Sequence, residues 1–319
     1  MNTPPQTTKA PMMLKPKSLH SKNLHKHGYD FATLIDSDPR LATHVQKNVY
    51  GNLSIDFTDP LAVKALNAAL LKHHYAIVDW DIPAGALCPP IPSRADYIHY
   101  IAELLGCTES AINQPNIKLL DIGTGANGIY PLLACQIYGW QCVGTDINPQ
   151  SLQNVASIIA HNPTLKGQLT LRLQLNQHQM FTGIIQAGEQ FDVSVCNPPF
   201  HASAEDAVKS SQRKLSNLAR HRGEQTTLQI SKPTAQALNF GGLDAELWCN
   251  GGERLFLKKM IKESQLFANQ CRWFTSLVSK IDNIQPSKKL LRKLGATDIR
   301  EIDMAQGHKI TRVLAWTFV

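Results

Sequence analysis

Apolar residues recur at two different spacings along the chain, and the change comes near Pro115. Before it the spacing is helical. "DPRLATHVQKNV" and "DPLAVKALNAALLKHH" both open on Asp-Pro, an acid suited to capping followed by a proline at the first helical position, so each predicts a helix. "CPPIPSRADYIHYIAELLG" predicts a rigid extended lead, a cap at Ser93 and a helix whose Tyr97, Ile98, Ile101, Leu104 and Leu105 share one face. After Pro115 short apolar runs alternate with helical ones. "IKLLDIG", "QCVGTDI", "LTLRLQL", "FDVSVCN", "CRWFTSLVS", "TDIREIDM" and "TRVLAWTFV" read as strands. The helices between them are "ANGIYPLLACQIYG", stopping on Gly139, then "NPQSLQNVASIIAHN", "ERLFLKKMIKESQLFANQ" and "NIQPSKKLLRKLG". Strands separated by helices of this length require right-handed crossovers and a mostly parallel sheet, to which the closing hairpin-like pair adds one antiparallel strand.

This pattern divides the chain into an arm at 1–28 with little to bury, expected to be disordered, a helical layer at 29–114 and an α/β domain at 115–319. Residues 201–252 break the alternation. They separate the fourth strand from its crossover helix by far more than the usual few residues, and "ALNFGGLDAELWCNGGE" within them is too specific for a linker.

Composition narrows the function classes. At 43% apolar and 18% charged, the chain belongs with soluble globular proteins. No stretch is long and apolar enough for a membrane helix, and the amino terminus has no apolar signal region, so a cytoplasmic location is expected, with no membrane partner. The seven cysteines include no Cys-x-x-Cys pair; free thiols are expected, and neither a disulfide framework nor a metal site. The net charge of +7 is unevenly spread. Lys9, Lys15, Lys17, Lys22 and Lys26, with His20, His25 and His27, precede the first acid, Asp30. Lys209, Arg213, Lys214, Arg220, Arg222 and Lys232 crowd the insertion. Two basic runs flanking one candidate site point to a polyanionic partner.

That site opens with "LLDIGTGANGIYPLL", which sets Asp121, Gly123, Gly125 and Gly128 between a strand and a helix, where glycines permit a tight turn and close approach of a ligand. The spacing of Gly123, Gly125 and Gly128 spells the dinucleotide fingerprint, and Asp146 closes the next strand where a ribose-binding acid belongs. Asp121, two positions before the first glycine, would repel a pyrophosphate and suits the cationic amino-acid end of S-adenosylmethionine. A nicotinamide cofactor remains the competing reading.

"CNPPF", residues 196–200, ends the fourth strand on two prolines, which cannot continue a ladder. An exocyclic amine is a poor nucleophile because its lone pair is delocalised. The Asn197 side-chain oxygen and the Pro198 carbonyl are suited to accept its two hydrogens and aim that lone pair at an electrophilic methyl, with Pro199 stiffening the turn and Phe200 stacking on the flipped base. A metal, a strong base or a covalent nucleophile is not required.

"DIGTGANGIYPLL", "CNPPFH", "LNFGGLDAELWCNGGE" and "MAQGHKITRVLAWTF", with "DFATL" and "IPSRADYIHYI", together resemble the large-subunit ribosomal RNA adenine-N(6) methyltransferase F family over about Leu19 to Val319. The resemblance implies a class I S-adenosylmethionine-dependent methyltransferase: a Rossmann-like α/β fold with a mostly parallel seven-stranded sheet and an N-terminal helical extension. It implies methylation of the N(6) of one adenine in large-subunit (23S) ribosomal RNA or an assembly intermediate. Asp121, Gly123, Gly125, Asp146 and Asn197 match the family's cofactor pocket, as does Arg94 in "IPSRADYIHYI". A further cofactor contact falls at Asn176 or Gln177 after the third strand. Asp146 stands where some relatives carry Glu, with the same two acceptor oxygens. Lys22, Lys26, Lys209, Arg213, Arg220 and Arg222 are the expected RNA contacts. The alternatives are methylation of a protein glutamine amide, which poses the same electronic problem, methylation of DNA adenine, and a catalytically silent RNA-binding assembly factor.

Overall fold

The computed structural model describes residues 18–107, 116–199, 249, 251–306 and 309–319. Of the two Asp-Pro pairs, only the second starts an α-helix. After α1 (Phe31–Ser37), Asp38-Pro39 opens a single 3-10 segment, Pro39–His44. The chain then extends into β1 (Val45–Lys47), paired antiparallel with β2 (Leu53–Ile55). The helix expected over "DPRLATHVQKNV" therefore stops at His44. The Asn48 side chain accepts the amides of Tyr50 and Asn52 and closes a turn at that point, an alternative to helix that asparagine offers the backbone. At α2 (Pro60–Tyr75) the Asp59 side chain caps the Leu61 amide and Pro60 fills the first turn, as expected. Helix α3 (Ile91–Leu104) begins ahead of Ser93, on the Pro90–Pro92 segment; the Ser93 hydroxyl donates to the Pro90 carbonyl instead of capping.

The basic arm is corrected in its last part. Residues 18–28 pack on α2 and α3, with His20, Asn23 and His25 buried. Asp96 of α3 accepts the His20 amide and the Asn23 side-chain amide, which also donates to the Pro92 carbonyl at 2.8 Å. His25 Nε2 pairs with the Tyr75 hydroxyl at 2.8 Å. These polar side chains are buried because each finds a specific partner, which composition alone does not reveal. Residues 1–17 lie outside the described residues.

Beyond Pro115 every expected strand is present: β3 (Lys118–Ile122), β4 (Gln141–Asp146), β5 (Leu169–Leu173), β6 (Phe191–Cys196), β7 (Cys271–Val278), β8 (Asp298–Gln306) and β9 (Lys309–Thr317). They form one seven-stranded sheet in the order β5-β4-β3-β6-β7-β9-β8, in which β9 alone runs antiparallel to its neighbours. The crossover helices are α4 (Ile129–Tyr138), α5 (Pro149–His161), α6 (Gly252–Ser264) and α7 (Ile284–Lys293). Strand alternation splits the core in two. Leu119, Val193 and Val195 pack with residues of α2 to α5, whereas Leu120, Ile122 and Phe274 pack with Leu257, Met260 and Ile261 of α6 and Leu291 of α7. The N-terminal helices share the first of these cores with the sheet.

All seven cysteines are free, and all but the half-buried Cys249 are buried. Among the described residues no helix is long and apolar enough to cross a membrane.

Candidate active site

The register of three central strands assembles the site. Ile122 of β3 pairs with Thr145 of β4 on one side and with Cys196 of β6 on the other. The next residues, Gly123, Asp146 and Asn197, therefore leave the carboxyl edge of the sheet side by side. Chain order reverses here, β4 and β5 lying to one side of β3 and β6 and β7 to the other, and such a reversal opens a crevice. A cavity of about 580 Å³ occupies it, of the size that holds a small-molecule cofactor.

Gly123, Gly125 and Gly128 all have positive φ, at 74°, 63° and 58°. At Gly128 the requirement is also steric, because an added Cβ would sit 2.9 Å from Val155 Cγ1 of α5. Two backbone amides orient the Asp146 carboxylate: Gly125 N donates to Oδ2 and Asn148 N to Oδ1, each at 2.8 Å. Each oxygen keeps acceptor capacity toward the cavity, the arrangement a vicinal diol requires. Burial holds the Asp146 carboxyl above its ordinary pKa. Across the cavity, Arg94 of α3 donates to the Tyr130 hydroxyl at 2.9 Å, its guanidinium 5.5 Å from that ring's centre.

Asp121 is placed differently from the expectation. It is completely buried and is not part of the cavity wall, so it makes no direct contact with an occupant as the side chain stands. Neither of its oxygens, nor the hydroxyl of Thr124, closes a hydrogen bond with the protein. Burial pushes its carboxyl up to about 7; the nearby Thr124 hydroxyl and the Arg94 charge oppose this, and the Asp146 charge adds to it. An unsatisfied carboxyl beneath a glycine turn is a costly arrangement that a cation above it would relieve.

Asn197 is half-buried, and its Oδ1 is wholly buried without a partner. Pro198 behind it is buried, while Pro199 lines the cavity. A hydroxyl chain anchors the preceding residue. Thr275 of β7 donates its one hydroxyl proton to the Ser194 carbonyl at 2.8 Å, so the Tyr97 hydroxyl, 2.7 Å away, must donate to Thr275. The Tyr97 oxygen is then left to accept the Cys196 amide at 3.4 Å. Tyr97 thus ties α3 to the end of β6, a role hidden in the sequence because it reads as one more apolar residue on a helical face.

The third wall is the segment after β5. Gln177, the expected contact, lines the cavity with Gln174, His178, Gln179 and Met180; Asn176 does not. Glu263 of α6 holds this segment, accepting the amides of Met180, Phe181 and Thr182 at 2.8, 3.0 and 2.8 Å. Asn127, Phe256 and Lys259 also line the cavity without having been anticipated; Asn127 follows two glycines in a turn already marked as ligand-binding, the one signal that pointed to it. Among the proposed RNA contacts, Lys22 is half-buried and exposed Lys26 donates to the Ser21 carbonyl; neither lines the cavity. Phe200, Lys209, Arg213, Arg220 and Arg222, with the rest of the insertion to Trp248, lie outside the described residues.

The donor set fits an adenosyl amino acid: an acidic pair of oxygens at Asp146 for a diol, Arg94 for a carboxylate, the buried negative potential of Asp121 for an ammonium group, and the orphaned oxygen of Asn197 in the same wall. No group of three or more side chains suited to hold a metal occurs among the described residues.

Comparison with known proteins gives the same direction. A family model described as RNA methyltransferase matches residues 13–319. Ribosomal RNA large subunit methyltransferase F of Saccharophagus degradans is 60% identical over 310 residues, 95% of each chain. The protein of that name from Shewanella baltica is 56% identical over 302 residues, 95% of this chain and 81% of its own. Among solved structures, the human METTL16 N-terminal domain in complex with SAH is 26% identical with a TM-score of 0.73, over 95% of this chain and 99% of that one. The METTL16 catalytic domain in complex with MAT2A 3'UTR hairpin 6 is 29% identical with a TM-score of 0.74, over 95% and 98%. A family model that matches residues 13–319 and a relative 60% identical over 95% of each chain show that the chain belongs to the RNA methyltransferase family.

Proposed function

We propose that this protein transfers a methyl group from S-adenosylmethionine to the exocyclic N(6) of one specific adenine in large-subunit ribosomal RNA, free or in an assembly intermediate, in the cytoplasm. The observation that carries the reading is the buried, unpartnered oxygen of Asn197, a residue that lines the same cavity as Asp146 from the opposite side of β3. The names of the curated relatives support the ribosomal substrate.

When bound, S-adenosylmethionine supplies a sulfonium methyl that is already electrophilic, so the task left to the protein is placement. Arg94, Asp146, Asn127 and Gln177 would hold the cofactor along the wall, with the amides of the glycine turn close to it. Asp121 contributes charge from beneath the turn. Asn197 Oδ1 accepts one hydrogen of the adenine amine and the Pro198 carbonyl the other, which localises the nitrogen lone pair and directs it into the cavity. Both acceptors are fixed before the base arrives: the prolines stiffen the turn, and Tyr97 and Thr275 pin the strand that leads into it. The amine becomes acidic on methylation and releases its proton to solvent, so no strong base is called for. Phe200 is the stacking surface for the flipped base.

Incubation of the purified protein with methyl-labelled cofactor and, separately, large-subunit ribosomal RNA, DNA of matching sequence and a glutamine-bearing protein acceptor tests this reading. Label should enter RNA alone and be recovered as N(6)-methyladenine. Label recovered in DNA adenine or in a glutamine amide overturns it.

A further inference from the structure

Helix α6 carries four basic and two acidic side chains, and the structure separates them by sign. Glu253 is buried, its carboxylate taking up the amides of Ser279 and Lys280 and the side-chain amide of Asn283. Glu263 is spent on the three amides of the segment 180–182. Both acids therefore face inward and serve the fold. Leu257, Met260 and Ile261 are buried in the core beneath the helix. What the helix shows to solvent is Arg254, Lys258 and Lys262, all exposed, at four-residue spacing along one face, and none pairs with a carboxylate of a described residue. Several other cations of the chain are paired, whereas Lys289, Arg292 and Lys293 of α7 are exposed without such a pair among the described residues but on a helix that does not line the cavity. Lys118 and Arg172 share Glu189, Lys64 pairs with Asp81, and Lys288 with Glu301.

The strip also has a direction. Between Arg254 and Lys258 the same helix turns Phe256 into the cavity wall, with Lys259 beside it, and both line the space shared by Asn197 and Pro199. At 1.5 Å per residue, Arg254 to Lys262 spans about 12 Å, enough to meet more than one phosphate of a nucleic acid strand, and the strip runs alongside the cavity-lining Phe256 and Lys259. We propose that the outer face of α6 is a phosphate-binding strip that grips the RNA strand flanking the target adenine, with Lys259 as its innermost cation. This rests on the RNA methyltransferase reading and adds to it a binding surface made of the α/β domain itself, apart from the arm and the insertion.

The test compares three full-length proteins: wild type, a strip variant (Arg254→Gln, Lys258→Gln, Lys262→Gln) and a charge-matched variant of α7 (Lys289→Gln, Arg292→Gln, Lys293→Gln), whose three exposed cations lie on a helix that does not line the cavity. Binding to a large-subunit RNA fragment and to an unrelated RNA hairpin is read by fluorescence anisotropy across a salt series, with cofactor affinity and melting temperature in parallel. The strip variant should bind the large-subunit fragment roughly 10- to 100-fold more weakly near 0.15 M salt and lower the salt slope by about 2 to 3, with cofactor affinity and melting temperature unchanged. The α7 variant should lose less than about threefold. Unchanged affinity and slope in the strip variant overturn the proposal, as does an equal loss from α7, which would make the effect one of net charge. Failure of wild type to methylate the RNA would overturn the functional reading instead, and the binding data would still decide the strip.

Discussion

A side-chain oxygen buried without a partner costs free energy that folding alone gives no reason to spend, and Asn197 Oδ1 is such an atom. If its purpose is to accept an amine hydrogen, Asn197→Ala should lower kcat by roughly 10²- to 10³-fold, as removal of a preorganised polar group commonly does. Cofactor affinity should change far less; single-turnover kinetics with calorimetric binding separate the two. Asp121 is the second such residue, and its sign can be worked out. Its folded pKa, raised to about 7 from an ordinary value near 4, means the native state holds a proton that the unfolded state releases between those values, so this group's contribution to stability falls as pH rises through that window. Asp121→Asn should therefore stabilise the cofactor-free protein by about 1–3 kcal/mol at pH 8, with the difference shrinking toward pH 4, while weakening cofactor binding. Melting curves of both proteins at several pH values check the first half, and cofactor titration the second.

At the level of elements, the strands and crossover helices were legible because each carries its own period and its own stop: Gly139 ends α4 and Asn148 caps α5 where the pattern put them. The candidate site was legible as a place wherever its residues are local in the chain: the glycine turn, Asp146 and the Asn-Pro-Pro edge do meet at one cavity. What stayed hidden depends on partners remote in the chain. Tyr97 meets β6 and β7 only once α3 is packed, and Glu263 meets the segment after β5 only once α6 is. Glu263→Gln keeps one acceptor where two oxygens served three amides, so the cofactor dissociation constant should rise about tenfold with kcat nearly intact, read by calorimetry and saturating kinetics. The packed arm segment was hidden for the same reason. Burial lowers His25 and His99 to about 4, so both are neutral in the folded protein; the stability they retain at pH 7 is lost as pH falls from about 6.5 toward 4, where the unfolded state binds protons the native state refuses. Proteolysis within residues 18–28 should accelerate over that range before the melting of the sheet, and equal protection at pH 7 and pH 5 would count against it.

On the scale of the whole molecule, a net charge of +7 does not by itself name a partner, but its distribution does. The carboxylates of Glu189, Glu253 and Glu263 are consumed by the fold, leaving cations at the rim of a cavity whose interior is built for a small, partly cationic ligand. One end of the sheet thus holds two binding problems, a cofactor below and a polyanion above, and Asn197 stands where they meet. The central claim is that this meeting point methylates one ribosomal adenine. Mapping N(6)-methyladenine across large-subunit RNA from cells lacking this gene, and from the same cells supplied with wild type or Asn197→Ala, tests it most directly. One adenine should lose its methyl group in the deletion and regain it with wild type but not with Asn197→Ala; a map unaltered by the deletion, or restored by Asn197→Ala, would contradict the account.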